Sequence, residues 1–194
     1  MYFINPIDTF ISLPFDLLPN SSYIDFLQFI ACDKPAIRIH LQNQHSIKKL
    51  VQWCFSHKYA IKVDIDRYAC IARNISLVET ILEVDQNPKP HEHILGLLLG
   101  YPECCSKFVA RIGENNIDQL DKQVAYWTFS RKFRYIDPTH YLDGTSLICH
   151  VPCSNTCLAS LDIALNALRF IQAHLAIPAL TPWHYWLNRA EIYL

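Results

Sequence analysis

The hydrophobic pattern changes its period twice between residues 35 and 73. Apolar and polar residues alternate from Ala36 to Leu41, which predicts a strand. After Ser46, a candidate helix cap, apolar residues recur every three or four positions, which predicts an amphipathic helix. The runs Ala60 to Ile65 and Tyr68 to Ala72 predict two more strands. The order strand, helix, strand, strand indicates a small mixed or antiparallel sheet with a helix packed against it.

The sequence on either side of this region predicts helices, irregular structure and one break. Three prolines interrupt the apolar residues 1–20, which predicts irregular structure, and Ser21 and Ser22 then precede a helical pattern. A further helix is expected from Ser76 to about Val84. The segment Asn87-Pro-Lys-Pro90 is the clearest break. It predicts two subdomains, residues 1–88 and 89–194, within a chain that also suits one compact domain.

The second half of the chain, from His91 onward, is predicted to be mainly helical. Helices are predicted at four places: His91 to Leu99, Cys104 to Ile112, Ile117 to about Phe133, and Pro152 to about His174. Gly100 suits the end of the first, and Pro102 suits the first turn of the second. Leu147 to Val151 is expected to be extended. The predicted fold class is therefore α+β, with a small N-terminal mixed sheet and a mostly helical C-terminal half.

The composition narrows the classes of function. The 194 residues are 51% hydrophobic and 18% charged, with a net charge of -1, which indicates a globular chain with a large core. That charge argues against nucleic acid and anionic membranes as partners. The longest apolar run is too short to span a bilayer. We expect no signal peptide and a cytoplasmic location, because the N-terminus has no basic region or cleavage site.

The eight cysteines are the unusual feature, because five of them lie in two short segments. Cys104 and Cys105 are adjacent, just after Pro102, and three more thiols lie between residues 149 and 157. In a reducing compartment such groups indicate metal binding or catalysis more often than disulfides. Cys32, Cys54 and Cys70 have apolar neighbours, so they are expected to be packing residues.

The spacing indicates how the thiols would act. If Pro152 opens a helix, Cys153 and Cys157 lie one turn apart on one face, where the helix N-terminus favours thiolates. Cys149 and His150 would point to opposite sides of an extended segment, so only one of them could face the same site. The predicted metal ligands are Cys104, Cys105, Cys153 and Cys157. An iron–sulfur cluster could accept both adjacent cysteines, because it has several metal atoms to bind.

These features favour an enzyme that acts on a small molecule at an iron–sulfur centre, with a [4Fe–4S] cluster preferred over zinc. His150 is a candidate fourth ligand or acid–base residue, and Glu103 is a candidate acid–base residue. Tyr101 is the candidate cofactor-binding residue, placed to line a pocket. An open coordination position would let the substrate reach the metal. Redox or sulfur chemistry would suit such a centre.

Two other classes of protein suit the same residues. One is a zinc-stabilised, non-enzymatic module that binds a protein partner, and the other is a metal-free dithiol redox protein. The aromatic C-terminal segment, from Trp183 to Leu194, is expected to dock on the core or on a second copy of the chain. A homo-oligomer formed through this segment is therefore one of the expectations.

The two cysteine segments also carry a resemblance. The sequences Leu99-Gly-Tyr-Pro-Glu-Cys-Cys-Ser-Lys-Phe108 and His150-Val-Pro-Cys-Ser-Asn-Thr-Cys157 resemble the signature of an uncharacterised prokaryotic family, a domain of unknown function. The resemblance covers about residues 91 to 175. It implies that Cys104, Cys105, His150, Cys153 and Cys157 belong to one site, and it implies neither a reaction nor a particular metal.

Overall fold

The structure is a computed structural model that describes residues 5–87, 92–113, 116, 135–174, 176 and 178–183. These residues form a three-stranded sheet and seven α-helices. The helices are α1 Pro6–Ile11, α2 Ser22–Ala31, α3 Gln44–Ser56, α4 Ile75–Asp85, α5 Glu92–Leu98, α6 Glu103–Ile112 and α7 Leu158–Ala173. The strands are β1 Ala36–His40, β2 Ala60–Val63 and β3 Tyr68–Ala72.

Asparagine side chains begin three of the helices. Asn5, Asn43 and Asn74 each accept a hydrogen bond from a backbone N–H of the first turn of α1, α3 and α4. The predicted cap of α3 was wrong: Ser46 lies inside the helix, and its N–H donates to the Asn43 side chain at 2.9 Å. Asparagine is as good a cap as serine, so the helix begins at the earlier of the two residues.

The sheet is antiparallel throughout, with strand order β1-β3-β2. In the register, Ala72 lies between Ala36 and Ala60. Of the two arrangements expected, the mixed sheet was wrong. Strands β1 and β2 run in the same direction, but β3 lies between them, so no parallel pair forms within the sheet. Helices α2, α3 and α4 pack against the strands.

One large hydrophobic core holds the described residues together. Its fully buried members come from both halves of the chain, including Phe26 and Ile71 from the first half, and Leu147 and Trp183 from the second. A smaller cluster lies between β1, β3, α4 and the end of α5. The α+β class is therefore shown, and the main core spans the predicted boundary after residue 88.

Three local predictions were wrong. Residues 1–20 were expected to be irregular, but α1 forms there, with Pro6 at its first position, and a 3-10 helix follows at Phe15–Leu17. The segment 147–151 forms bends rather than a strand. Helix α7 begins at Leu158 and not at Pro152, because residues 153–156 form bends and a turn in which the Ser154 hydroxyl accepts from the Thr156 N–H.

Several predictions concern residues outside the described part of the chain. These are the helix expected at 117–133, the segment 88–90 of the predicted break, His91, and the aromatic segment 184–194. The described residues include Trp183, which is fully buried and packs against Phe10. Among the described helices, none combines the length and apolar character that a bilayer crossing requires.

Candidate metal centre

The turn between α5 and α6 positions the adjacent cysteines. Gly100 has φ +80°, and a Cβ at this position would collide with the Pro35 ring, so the turn requires glycine. Pro102 then precedes α6, which begins at Glu103. Cys104 and Cys105 therefore lie in the first turn of α6. Cys105 is buried, and Cys104 is exposed.

Hydrogen bonds to distant residues hold the second cysteine segment in place. The Gln28 side chain donates to the Leu147 carbonyl at 2.9 Å, and the Trp183 indole donates to the Ser146 carbonyl at 3.0 Å. Cys157 is the N-cap of α7, and Cys153 lies in the turn before it. The prediction that these two thiols share a helix face was therefore wrong, because the helix starts after both of them.

Four cysteine sulfurs meet at the point where α6 and α7 begin. The Sγ atoms of Cys104, Cys105, Cys153 and Cys157 all lie within 4.8 Å of one another. The Cys104–Cys105, Cys104–Cys157 and Cys105–Cys157 separations are 3.8, 3.7 and 3.6 Å. Sulfurs bonded in a disulfide would be about 2 Å apart, so these thiols are free. The predicted convergence of the two segments is confirmed.

The donor set and its spacing fit a metal ion. Four thiolates around one tetrahedral zinc, each about 2.3 Å from it, stand about 3.8 Å apart. The three separations above match that value. The partial positive charge at the starts of α6 and α7 favours thiolates, and the Cys153 N–H donates to the Cys105 sulfur at 3.3 Å. The four cysteines could therefore hold a metal.

Ser160 and His150 form the outer layer of the centre. The Ser160 hydroxyl lies 3.3 Å from the sulfurs of both Cys105 and Cys157. His150 Nε2 lies 2.8 Å from the same hydroxyl. Burial, with a smaller contribution from Lys34, lowers the pKa of His150 to about 3, so its imidazole is neutral. His150 therefore reaches the centre through Ser160 and is not among the four converging ligands.

The thiols differ in how readily they ionise. Burial by itself would raise the pKa of Cys157, but hydrogen bonds from Ser160 and from neighbouring thiols lower it to about 7. Burial raises the pKa of Cys105, and burial with the nearby Cys104 and Cys157 raises that of Cys153 to about 11. Crowded thiolates repel one another, so without a cation the group holds little negative charge.

Cys149 belongs to a separate buried network. Its sulfur accepts from Lys34 Nζ at 3.1 Å and donates to the Gln28 side chain at 3.1 Å. Lys34 also pairs with Asp25 at 3.3 Å, and Asp25 accepts from the Tyr141 hydroxyl at 2.9 Å. Cys149 and His150 thus have different hydrogen-bond partners, and Cys149 is not a member of the four-sulfur group.

The other predicted residues lie near the centre. Glu103 precedes Cys104 but is exposed and ion-paired with Lys107 at 2.6 Å. The Lys107 ammonium lowers the pKa of Glu103, which makes its carboxylate a weaker base. Tyr101 lines a cavity that also borders Cys105 and His150. The acid–base roles of Glu103 and His150 and the cofactor-binding role of Tyr101 stay predictions.

Two residues near the centre were missed by the sequence analysis. Ser160 contacts two ligand sulfurs, and the available signal was its position three residues after Cys157, on the first turn of a helix. Lys34 lies 115 residues from Cys149 along the chain. No local pattern connects those two residues, so only the fold could show their contact.

Comparison of the chain with protein-family models, with curated proteins and with solved structures found no match. The resemblance of the two cysteine segments to an uncharacterised family therefore stays a prediction.

Proposed function

We propose that this protein binds one zinc ion through Cys104, Cys105, Cys153 and Cys157, and that the ion fastens α6 to the start of α7. The spacing of the sulfurs carries the proposal. The sulfurs of Cys104, Cys105 and Cys157 stand 3.6 to 3.8 Å apart, which is the separation of thiolates around one tetrahedral ion, and the Cys153 sulfur lies within 4.8 Å of all three. Zinc bound by four cysteines is a closed centre that contributes to folding stability.

The spacing favours a single ion over the [4Fe–4S] cluster expected from the sequence. In that cluster each thiolate binds a different iron at a corner of the cube, so the sulfurs stand farther apart than around one ion. Here all four lie within 4.8 Å of one another. Zinc is also the metal that prefers a tetrahedral set of thiolates.

Elemental analysis of anaerobically purified protein tests the proposal directly. We expect one zinc per chain, no acid-labile sulfide, and no visible absorption. Replacing zinc with cobalt should give the intense visible bands of a tetrahedral thiolate complex. A brown protein with several irons and sulfides per chain would establish the iron–sulfur cluster instead. A metal-free protein whose thiols oxidise reversibly would establish the dithiol alternative.

A second candidate is an enzyme with three fixed ligands and one position open to substrate. The observation that favours it is the exposure of Cys104, since Cys105 and Cys157 are buried and Cys153 is half-buried. A Cys104→Ala variant separates the two candidates. Four essential ligands predict that the variant loses its metal, and three predict that it keeps a full equivalent with water at the open position.

Two wider expectations belong to this proposal. We place the protein in a reducing compartment, the cytoplasm, which is supported by its eight free cysteines. We also propose that it belongs to the uncharacterised family whose signature its cysteine segments resemble. The convergence of Cys104, Cys105, Cys153 and Cys157 supports the single site that the resemblance implies.

A further inference from the structure

A cavity of about 340 Å³ lies behind the metal centre. Its walls come from α5, α6, the middle of β1 and the segment that carries Cys149 and His150. Cys105 belongs both to this wall and to the four-sulfur group. The volume falls in the range of small-molecule sites in proteins, which is about 300–1,000 Å³.

Unpaired polar atoms are concentrated around this cavity. Within the described residues, four buried side-chain atoms lack a hydrogen-bond partner, and three of them belong to cavity-lining residues. These are Glu92 Oε2, Ser106 Oγ and His150 Nδ1. Ser106 and His150 are themselves only 2% and 8% exposed. Native proteins rarely leave buried polar atoms unpaired, so three around one cavity indicate an occupant that supplies the partners.

All three unpaired atoms around the cavity can accept a hydrogen bond from a ligand. Glu92 Oε2 accepts only, because it is a carboxylate oxygen. When the Ser160 hydroxyl donates to a cysteine sulfur, Nε2 of the neutral His150 carries the proton, and Nδ1 is then an acceptor. Ser106 Oγ can both donate and accept. Two acceptors and one hydroxyl match a ligand that carries several N–H groups.

The charge in the cavity favours a cationic ligand. Arg38 also lines the cavity, but its guanidinium already pairs with Asp85 at 2.9 Å and stacks on the Tyr68 ring. The Lys34 ammonium contacts Tyr101 and Cys149 of the lining, and it pairs with Asp25 at 3.3 Å. Both cations near the cavity therefore already have a carboxylate partner. The remaining walls are largely apolar, with aliphatic side chains from Leu95, Leu99 and Val109. The lining suits a compact hydrocarbon body with a cationic amine at one end.

We propose that this cavity binds a small primary amine, whose ammonium donates to Glu92 and whose apolar body packs against Leu95, Leu99 and Val109. The proposal goes beyond the metal centre and does not depend on which metal is bound. The closeness of the cavity to Cys105 means that an occupant would lie against the inner side of the centre.

Benzylamine is a suitable probe, with toluene as the matched molecule that lacks the amine. Binding is measured by calorimetry and by ligand-observed NMR on the full-length, metal-replete protein. We expect saturable benzylamine binding with one site per chain. Toluene is expected to bind at least about tenfold more weakly, because hydrogen bonds to a charged partner contribute that much or more.

Three variants locate the site. Glu92→Gln keeps the size of the side chain but removes its charge, so it should weaken benzylamine binding at least about tenfold. Val109→Phe should abolish binding by filling the cavity. Glu83→Gln is the matched control, since Glu83 is an exposed acid that is not part of the lining. The Glu83→Gln variant should bind benzylamine with the same affinity as the wild type.

Metal content is measured in each sample, so a failure of the metal proposal is seen separately from a failure of this one. The absence of saturable benzylamine binding to metal-replete protein would mean a cavity filled only by water and would overturn the proposal. Binding that Glu92→Gln and Val109→Phe leave unchanged would also overturn it, because the amine would then occupy another surface.

Discussion

This protein contains two buried polar clusters, the Lys34 network and the four-cysteine centre, and their charges are balanced in different ways. In the Lys34 network, the ammonium has Asp25 at 3.3 Å and Cys149 at 3.1 Å. In the cysteine centre, four thiols converge within 4.8 Å of one another, and the basic residues that border Cys104 and Cys153, Lys107 and Arg111, interact with Glu103 and Phe108 respectively. One cluster contains both signs of charge, and the other contains ligands of one sign only.

The comparison shows what each cluster needs from outside the chain. Burial by itself would lower the pKa of Lys34, but Cys149, Tyr101 and Asp25 raise it above its ordinary value. Burial raises the pKa of Asp25, and Lys34 opposes that rise. The Lys34 ammonium therefore finds its partners within the chain. The sulfurs of the cysteine centre interact with neutral groups, the Ser160 hydroxyl and the Cys153 N–H, and a metal ion would supply positive charge. Both clusters use cysteines from the segment 149–157, and Cys149 of the paired network lies only four residues before Cys153, a candidate metal ligand.

The largest effect is expected at a ligand of the centre. Cys157→Ser removes a buried thiolate from the four, so zinc affinity should fall by more than about 100-fold, beyond the range for outer partners. Zinc per chain after dialysis against a weak chelator should drop from about one to near zero.

Cys32→Ser is the matched control, because Cys32 is half-buried and outside the four-sulfur group. Its zinc content should equal that of the wild type. Equal losses in both variants would mean that the centre does not hold the metal.

The second prediction concerns the internally paired cluster. Lys34→Ala leaves Asp25 buried without its cation, so we expect the free energy of unfolding to fall by about 3–5 kcal/mol. Urea denaturation measures the change. Lys62→Ala breaks the exposed pair with Glu79 and should cost less than about 1 kcal/mol. A similar small cost for Lys34→Ala would show that the buried pair is not important for stability.

The pH dependence of the Lys34 contribution has a definite sign. The pKa of Lys34 is raised in the folded protein. The contribution of Lys34 to the free energy of unfolding is therefore complete below the ordinary lysine pKa of about 10.4, and it is lost as the pH rises through the folded pKa. The stability difference between the wild type and Lys34→Ala should therefore not decrease between about pH 7 and pH 10. Urea denaturation across that range checks it, and a steady decrease would contradict the assignment.

The smallest of these effects is expected at the outer layer of the centre. Ser160→Ala removes the hydroxyl that contacts Cys105, Cys157 and His150, and the loss of such outer partners typically weakens metal affinity by about 10–100-fold. Competition with a chromophoric zinc chelator measures it. Ser154→Ala is the control, since the Ser154 hydroxyl accepts a hydrogen bond from the Thr156 N–H, in the turn before α7. Unchanged affinity in Ser160→Ala would remove Ser160 from the site.

The sequence alone determined much of this architecture. Strand β1 followed from the alternation of apolar and polar residues, and β2 and β3 from two further apolar runs. Helices α2 and α3 followed from apolar spacing, and the ends of α5 and α6 from glycine and proline. The four ligands followed from the concentration of cysteines beside Pro102 and Pro152. Local patterns were sufficient here, since each feature depends on residues close together in the chain.

Only the tertiary structure decided how these parts meet. The start of α7 at Leu158, rather than Pro152, depends on turn hydrogen bonds that compete with helix formation. The antiparallel sheet depends on β3 lying between β1 and β2. The separation of Cys149 from the four ligands depends on Lys34 and Gln28, which are more than 100 residues away along the chain. Contacts between distant residues leave no periodic trace in a single sequence, so the fold had to supply them.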